Sequence, residues 1–396
     1  MTKLKKNYIG LIVIVSNIFN AMAIDVYLPS LPSMTKHFCT TEYKAQLIII
    51  VFYCGAVFSR LFWGPFSDLF GRKKSILIAY LIQAIFQILC LSADDIDNII
   101  IYRALQSLGS GVTGVLGTAL IADYYDGNER AKILNWVELS FIIAFIVAPS
   151  VGVVLNEFFG WKGGFVFIFI SFIFSFILFY SFLPQEKNTA QFSIKSSINH
   201  FLNSYKNVVN IKILTYSLLS GVSAGTFMAY ALKAPFVYLT RFSSTSQEYI
   251  VFQMLPFVVT LIISIFYKKI VDKFSINFTI NYSNKILLGL GVLSALFASE
   301  VLIVNKFCYF FLVLCTSVAT SFLITGGTSL ALHGAVKKGA VASVSSSIRS
   351  AALFFIMYAS SRFDATHNQI FFLFPILAII IYFLWYKIRN FSNFTI

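Results

Sequence analysis

The stretch Gly64-Pro65-Phe66-Ser67-Asp68-Leu69-Phe70-Gly71-Arg72-Lys73-Lys74 joins two long apolar segments in the first quarter of the chain. Its glycines allow a tight turn, and Asp68 can pair with the basic cluster or with a helix N-terminus. A short basic loop is common between the spans of any membrane protein. The full pattern of glycine, proline, acidic and basic residues at this spacing is much more specific.

The composition of the whole chain indicates that these apolar segments lie in a membrane. Apolar residues make up 58% of the 396 residues, and charged residues only 12%. A soluble domain needs about a quarter of its residues charged to hold its surface in water. We therefore expect a lipid bilayer around the chain, and we do not interpret the net charge of +14 as a sign of nucleic-acid binding.

Twelve windows are apolar enough to cross the hydrocarbon core, which takes about 20 helical residues. Six windows precede the polar stretch 184–210, which reads as a cytoplasmic linker, and six follow it. The sequence thus predicts an all-α membrane protein with twelve transmembrane helices in two six-helix bundles, residues 1–183 and 211–396, as in transporters built from repeats. The predicted spans are 8–32, 44–64, 75–93, 98–122, 131–155, 163–183, 211–237, 248–267, 283–303, 307–331, 340–361 and 370–387.

The positions of lysine and arginine predict the orientation. With both termini in the cytoplasm, twenty of the thirty cations fall in cytoplasmic segments, six fall outside and four fall within spans. A bias of roughly three to one supports this orientation. Frequent Phe, Ile, Asn and Lys are typical of an AT-rich bacterial genome, so we expect a multi-pass protein of the bacterial inner membrane with both termini cytoplasmic.

Residues that bind metals or catalyse reactions do not form a recognisable set in this sequence. The five cysteines show no C-x-x-C pair, and the histidines fall in predicted loops or at their edges. Neither an H-E-x-x-H motif nor a Walker motif is present. The sequence therefore predicts neither an enzyme nor an ATP-driven pump, and it predicts no metal and no cofactor.

Three stretches resemble motifs of the major facilitator superfamily. The Gly64–Lys74 stretch resembles the family's signature loop, although Leu69 stands where many members have Arg or Lys. Arg103 to Gly111 resembles the R-x-x-Q-G element of the fourth span, with Ser107 in place of the glycine. Ala144 to Gly152 is similar to the G-x-x-x-G-P-x-x-G motif of drug/proton antiporters, with alanine replacing two glycines.

Other stretches resemble one branch of that family, the Bcr/CflA-type multidrug exporters. Ile24-Asp25-Val26-Tyr27-Leu28-Pro29-Ser30-Leu31-Pro32 closely matches their first-span D-x-Y-L-P-x-L-P, and Ala234-Pro235-Phe236-Val237-Tyr238 resembles their seventh-span S-P-F-V-Y. Gly160-Trp161-Lys162 resembles their G-W-R turn. The resemblance implies a proton-coupled exporter that works as a monomer on small molecules, driven by the proton gradient. It also implies gating or structural roles for Gly64, Asp68, Gly71, Arg72, Ala148, Pro149 and Gly152.

Asp25 and Arg103 are the candidate proton-coupling residues. A charge at membrane depth is costly, so it normally faces a cavity or a partner. Asp25 is expected roughly 10 Å from the outer end of the first span and Arg103 roughly 7 Å into the fourth. A carboxyl balanced between desolvation and a nearby guanidinium can bind and release a proton. The alternatives are a helix-end position for Asp25 and a structural ion pair for Arg103.

Six further residues are candidate substrate ligands because they are polar or charged within predicted spans. Lys233 and Arg349 are unexpected in a Bcr-type protein, and together with Arg103 they would outnumber Asp25 in a shared cavity. An excess of positive charge favours anionic or zwitterionic ligands over lipophilic cations. Lys233 could instead reach the membrane interface, and Arg349 could pair with a backbone carbonyl. The candidates are Asn17, Gln106, Ser110, Glu138, Lys233 and Arg349.

The leading interpretation of the sequence is a proton-coupled exporter of the multidrug type. The extra cations keep a dedicated exporter of an acidic metabolite, such as a carboxylate siderophore, as an alternative. A proton-coupled uptake carrier also stays open, because coupling residues do not reveal the direction of transport.

Overall fold

A computed structural model describes residues 3–184, 210–302, 304–332, 338–365, 368, 371 and 373–391. The regular structure of these residues is entirely helical, which confirms the predicted all-α class. In hydrocarbon a helix is favoured because it satisfies every backbone polar group within its own segment. Within the described ranges, nine helices are long and apolar enough to cross a membrane.

The chain divides into two compact units, Met1–Ser204 and Tyr205–Ile396. The predicted linker lies almost wholly outside the described residues, so the domain limits derived from it stay predictions. In the first unit, α1 packs against α7 and α8, and α5 packs against α3 and α4. These helices are α1 (Lys3–Asp25), α2 (Leu31–His37), α3 (Glu42–Phe70), α4 (Arg72–Leu91), α5 (Ile96–Gln106), α6 (Thr118–Tyr124), α7 (Gly127–Phe159) and α8 (Trp161–Phe182).

The second unit is organised around its first helix, which is buried along most of its length. This helix, α9, carries small and hydroxylated side chains that let neighbouring helices approach closely. It packs against α12, α13 and α14. The helices are α9 (Ile211–Pro235), α10 (Ser246–Phe274), α11 (Ile276–Ala298), α12 (Lys306–Leu332), α13 (Lys338–Ser361) and α14 (Leu373–Phe391).

Among the described residues, each of the twelve predicted spans overlaps a helix, but the predicted turn at 64–74 is much shorter than expected. Helix α3 continues through Pro65 to Phe70, so Gly64 lies inside the helix rather than in a loop. Gly71 alone separates α3 from α4, and its φ of 90° explains why a glycine stands there. The expectation that Gly64 shapes the turn is therefore wrong.

The predicted fourth span, 98–122, is not a continuous α-helix. Helix α5 ends at Gln106 and is followed by a 3-10 turn, Ser107–Gly109, and a π-helical segment, Val112–Gly117, before α6 begins. A Cβ atom on Gly109 would lie 2.4 Å from the carbonyl oxygen of Ala79, so the irregular backbone presses closely against α4.

Side chains from neighbouring helices bind the carbonyl groups that this break exposes. Ser59 Oγ and Trp63 Nε1 both donate to the Leu108 carbonyl, at 2.8 and 2.7 Å. Gln83 Nε2 donates to the Gly109 carbonyl at 2.7 Å. Irregular backbone at membrane depth needs such partners, because an unsatisfied polar group there costs several kcal/mol.

Candidate functional site

Asp25 is the last residue of α1, where the α-helix gives way to a 3-10 turn over Leu28–Ser30. Its side chain is only 3% exposed, and its Oδ2 atom has no hydrogen-bond partner in the part of the chain that the structure describes. Within the described part of the chain no salt bridge joins Asp25 to Arg103. Ionisable groups at such depth mark ion or proton pathways.

Arg103 lies on α5 and is completely buried beside the end of α1. Its Nη2 atom donates to the hydroxyl of Tyr27 at 2.8 Å and to the carbonyl of Ala23 at 3.3 Å. The guanidinium also lies over the rings of Tyr27 and Phe52, at 4.8 and 4.6 Å. The structure thus brings Arg103 to the residues on either side of Asp25 without pairing the two charges.

The third acceptor of Arg103 belongs to a row of buried glutamines. Arg103 Nη1 donates to Gln106 Oε1 at 2.5 Å, and Gln106 Nε2 donates to Gln87 Oε1 at 2.5 Å. Gln87 and Gln83 come from α4 and were not among the predicted site residues. Two amides four residues apart within an apolar span share one helix face, and that spacing is the signal that could have identified them.

The predicted residues Gly152, Pro149 and Ala148 lie on α7. Gly152 faces the turn that follows Asp25. A Cβ atom on Gly152 would lie 2.0 Å from the carbonyl oxygen of Val26, so only glycine allows this approach. Gly164 on α8 contacts the same turn, where an added Cβ would lie 3.2 Å from Cβ of Tyr27. The close packing of α7 and α8 therefore fixes the backbone around Asp25.

The other predicted ligands of the first unit have different surroundings. Asn17 is buried and donates to the carbonyl of Val137 and to Ser140 Oγ, so it joins α1 to α7. Ser110 follows the 3-10 turn, and its buried Oγ has no hydrogen-bond partner. Glu138 on α7 is exposed. None of these three contacts the Arg103 cluster in the hydrogen bonds that the described residues form.

At the short turn between α3 and α4, the predicted charged residues interact directly. Arg72 forms salt bridges with Asp68 at 2.5 Å and with Asp123 at 3.0 Å, and it also donates to Ser67 Oγ. Asp123 belongs to α6, so Arg72 connects the turn to the end of the broken fourth span. Asp68 pairs with the basic cluster as the sequence analysis expects.

In the second unit, Lys233 is 1% exposed near the end of α9, so its side chain is buried within the protein. Its Nζ atom donates to the Phe363 carbonyl at 2.5 Å. A small cavity beside it is lined by Thr226, Ala229, Tyr230, Lys233, Tyr309, Phe374 and Leu377. Arg349 is half-buried on α13, and its backbone packs against Gly221 of α9.

Comparisons with known proteins agree with this architecture. The model of the Major Facilitator Superfamily matches residues 13–357. The D-xylose-proton symporter has the same fold, with a TM-score of 0.76 at 15% identity over 98% of this chain and 99% of that one.

Two similar proteins are named for drug resistance. The bicyclomycin resistance protein homolog of Haemophilus influenzae is 25% identical over 253 residues, which cover 63% of this chain and 63% of that protein. The chloramphenicol resistance protein CraA of Acinetobacter baumannii is 23% identical over 303 residues, which cover 76% of this chain and 71% of that protein. The matched part of the chain therefore spans less than two thirds of the Haemophilus protein.

The family match covers most of the chain, and the fold and motifs agree with it. The predicted spans and the bacterial relatives also agree with this family. The chain belongs to the major facilitator superfamily and has the fold of its multi-pass membrane transporters.

Proposed function

We propose that this protein is a proton-coupled exporter that exchanges small molecules for protons, in the manner of a multidrug exporter. The observation that carries the proposal is Asp25, a buried carboxyl whose Oδ2 atom has no hydrogen-bond partner among the described residues. Arg103 binds Ala23 and Tyr27, two residues before and after Asp25, and the terminal nitrogens of its guanidinium donate only to neutral acceptors. The resistance names of two relatives support export rather than uptake.

In the proposed cycle, Asp25 takes up a proton from the outer side and releases it toward the cytoplasm. Proton entry displaces substrate outward, and the positive field of Arg103 favours release of the proton on the other side of the membrane. The turn that packs against Gly152 and Gly164 keeps the carboxyl at a fixed depth. The protein works in this account as a monomer in the bilayer of the bacterial inner membrane, with both termini cytoplasmic and no cofactor.

Everted membrane vesicles with an acidic lumen test this function and its direction. Ethidium added outside should accumulate in vesicles that contain the protein, and a protonophore should abolish the accumulation. Vesicles from cells without the protein supply the background. An uptake carrier would not accumulate the dye in everted vesicles, so accumulation only in right-side-out vesicles would contradict export.

The second candidate function is export of an acidic metabolite, such as a carboxylate siderophore. Lys233 favours it, because a buried ammonium beside a cavity with tyrosine walls suits a carboxylate. The half-buried Arg349 adds a second cation in the same unit. Citrate is the matching probe in the same everted vesicles: proton-driven accumulation of citrate without ethidium would select this candidate, and the reverse would exclude it.

A further inference from the structure

A row of hydrogen bonds runs from α8 to Arg103 through two amide side chains. Gln87 Nε2 donates to the Phe165 carbonyl at 2.8 Å, and Gln87 Oε1 accepts from Gln106 Nε2 at 2.5 Å. Gln106 Oε1 then accepts from Arg103 Nη1 at 2.5 Å. Gln87, Gln106 and Arg103 are all completely buried. We call this row the amide ladder.

The two ends of the amide ladder determine the orientation of both amides. A backbone carbonyl such as that of Phe165 can only accept, and a guanidinium can only donate. Gln87 must therefore present its NH₂ group to Phe165 and its oxygen to Gln106. Gln106 must present its oxygen to Arg103, because a flipped amide would direct its NH₂ group at the guanidinium.

The amide ladder gives the buried guanidinium of Arg103 a neutral acceptor close to the carboxyl of Asp25. Ala23 and Tyr27, the other acceptors of Arg103, lie two residues before and two residues after Asp25. If Arg103 lost the Gln106 oxygen, the carboxylate of Asp25 would be a strong alternative acceptor. A carboxylate in a salt bridge with a guanidinium resists protonation.

We propose that Gln87 is a positioning residue that keeps Arg103 away from Asp25, so that Asp25 stays able to take up a proton. This inference rests on the proposed function, since it assigns Asp25 the proton. The other titratable or charged groups near Arg103 and Asp25 are Tyr27, Tyr53 and Cys90, with Arg60 near Tyr53. Tyrosine and cysteine side chains are ordinarily neutral at neutral pH. A change in the pH titration of the protein below neutral pH therefore reports the protonation of Asp25.

Replacing Gln87 with leucine tests the proposal without a transport assay. Infrared difference spectroscopy of the purified protein follows the carboxylic acid band of Asp25 with pH, using the same variant with Asp25→Asn as the reference. We expect the midpoint of this band to fall by about one pH unit in Gln87→Leu, because Arg103 then pairs with Asp25.

Two further variants separate positioning from general damage. A protonated glutamate can donate to the Phe165 carbonyl and accept from Gln106, so Gln87→Glu should keep a midpoint close to that of the wild type. Gln83→Leu removes an equally buried amide that binds Gly109, and it retains the Gln83 backbone carbonyl, which accepts from Gln106 Nε2 at 3.4 Å. We expect no shift of the midpoint in Gln83→Leu.

An unchanged midpoint in Gln87→Leu, or an equal shift in Gln83→Leu, would overturn the positioning role. A shift confined to Gln87→Leu would support it whatever the transport assay shows. If that shift occurs in a protein whose transport is not coupled to protons, the amide ladder stands and the proposed function fails.

Discussion

Replacing Gly152 with alanine is expected to destabilise the protein by about 3 kcal/mol and to abolish transport. The added Cβ would lie 2.0 Å from the carbonyl oxygen of Val26 and 3.0 Å from its carbonyl carbon. Both are backbone atoms, so no side-chain rotation can relieve the overlap. Either α7 moves away or the turn after Asp25 is displaced, and both changes disturb the depth of the carboxyl.

Gly289→Ala is the matched control for this substitution. Gly289 also lies inside a long helix, α11, but an added Cβ meets nothing within 4 Å. Alanine there should be neutral or stabilise the protein by a few tenths of a kcal/mol, because it favours the helix. The measurements are thermal unfolding of the purified variants and ethidium accumulation in vesicles. Wild-type stability and transport in Gly152→Ala would show that the contact with Val26 is not as close as described.

Replacing Arg103 with methionine is expected to lower proton-coupled exchange on the order of 100-fold, since buried acceptors left without their donor cost about 1–3 kcal/mol. Methionine approximates the length of the side chain, but it leaves Gln106 Oε1 and the Ala23 carbonyl without their donor. Arg103→Lys should recover only part of the activity, because one ammonium cannot reproduce the forked geometry of a guanidinium.

Arg241→Met provides the control for loss of an arginine. Arg241 is partly exposed at the end of the π-helical segment Phe236–Arg241 and donates to Asn368. We expect the exchange rate of the Arg241→Met variant to stay within about three-fold of the wild type, because a partly exposed charged side chain contributes little. Initial rates should be divided by the amount of folded protein in the liposomes. Exchange in Arg103→Met at the level of Arg241→Met would remove Arg103 from the mechanism.

The fold was largely predictable, because hydropathy over about 20 residues directly reflects the thickness of the bilayer. The same averaging hid the break at Ser107–Gly117. That segment is rich in glycine but still passes as part of an apolar span, and its irregular backbone is stabilised by Ser59, Trp63 and Gln83 from other helices. Partners that come from distant parts of the chain leave no local pattern in the sequence.

The candidate site was predictable in its residues more than in its contacts. The motifs identified Asp25, Arg103 and Gln106, but depth alone suggested that the two charges would face one another. The structure instead pairs Arg103 with neutral groups, since Gln106, Tyr27 and Ala23 accept its hydrogen bonds. For Lys233 the sequence left burial and snorkelling equally open, because a lysine near a helix end can adopt either. Its burial depends on packing by α12 and α14, which only the fold reveals.

Proton flux into liposomes tests the central claim most directly. The wild type and Asp25→Asn would be reconstituted under an imposed pH gradient, with ethidium and citrate as probes and the surface variant Glu157→Gln as the control for loss of a carboxyl. We predict that a probe triggers proton movement in the wild type and in Glu157→Gln, and none in Asp25→Asn, because an amide cannot carry the proton. Normal proton flux in Asp25→Asn would contradict the account, and the coupling carboxyl would then have to be sought elsewhere, first at Glu138.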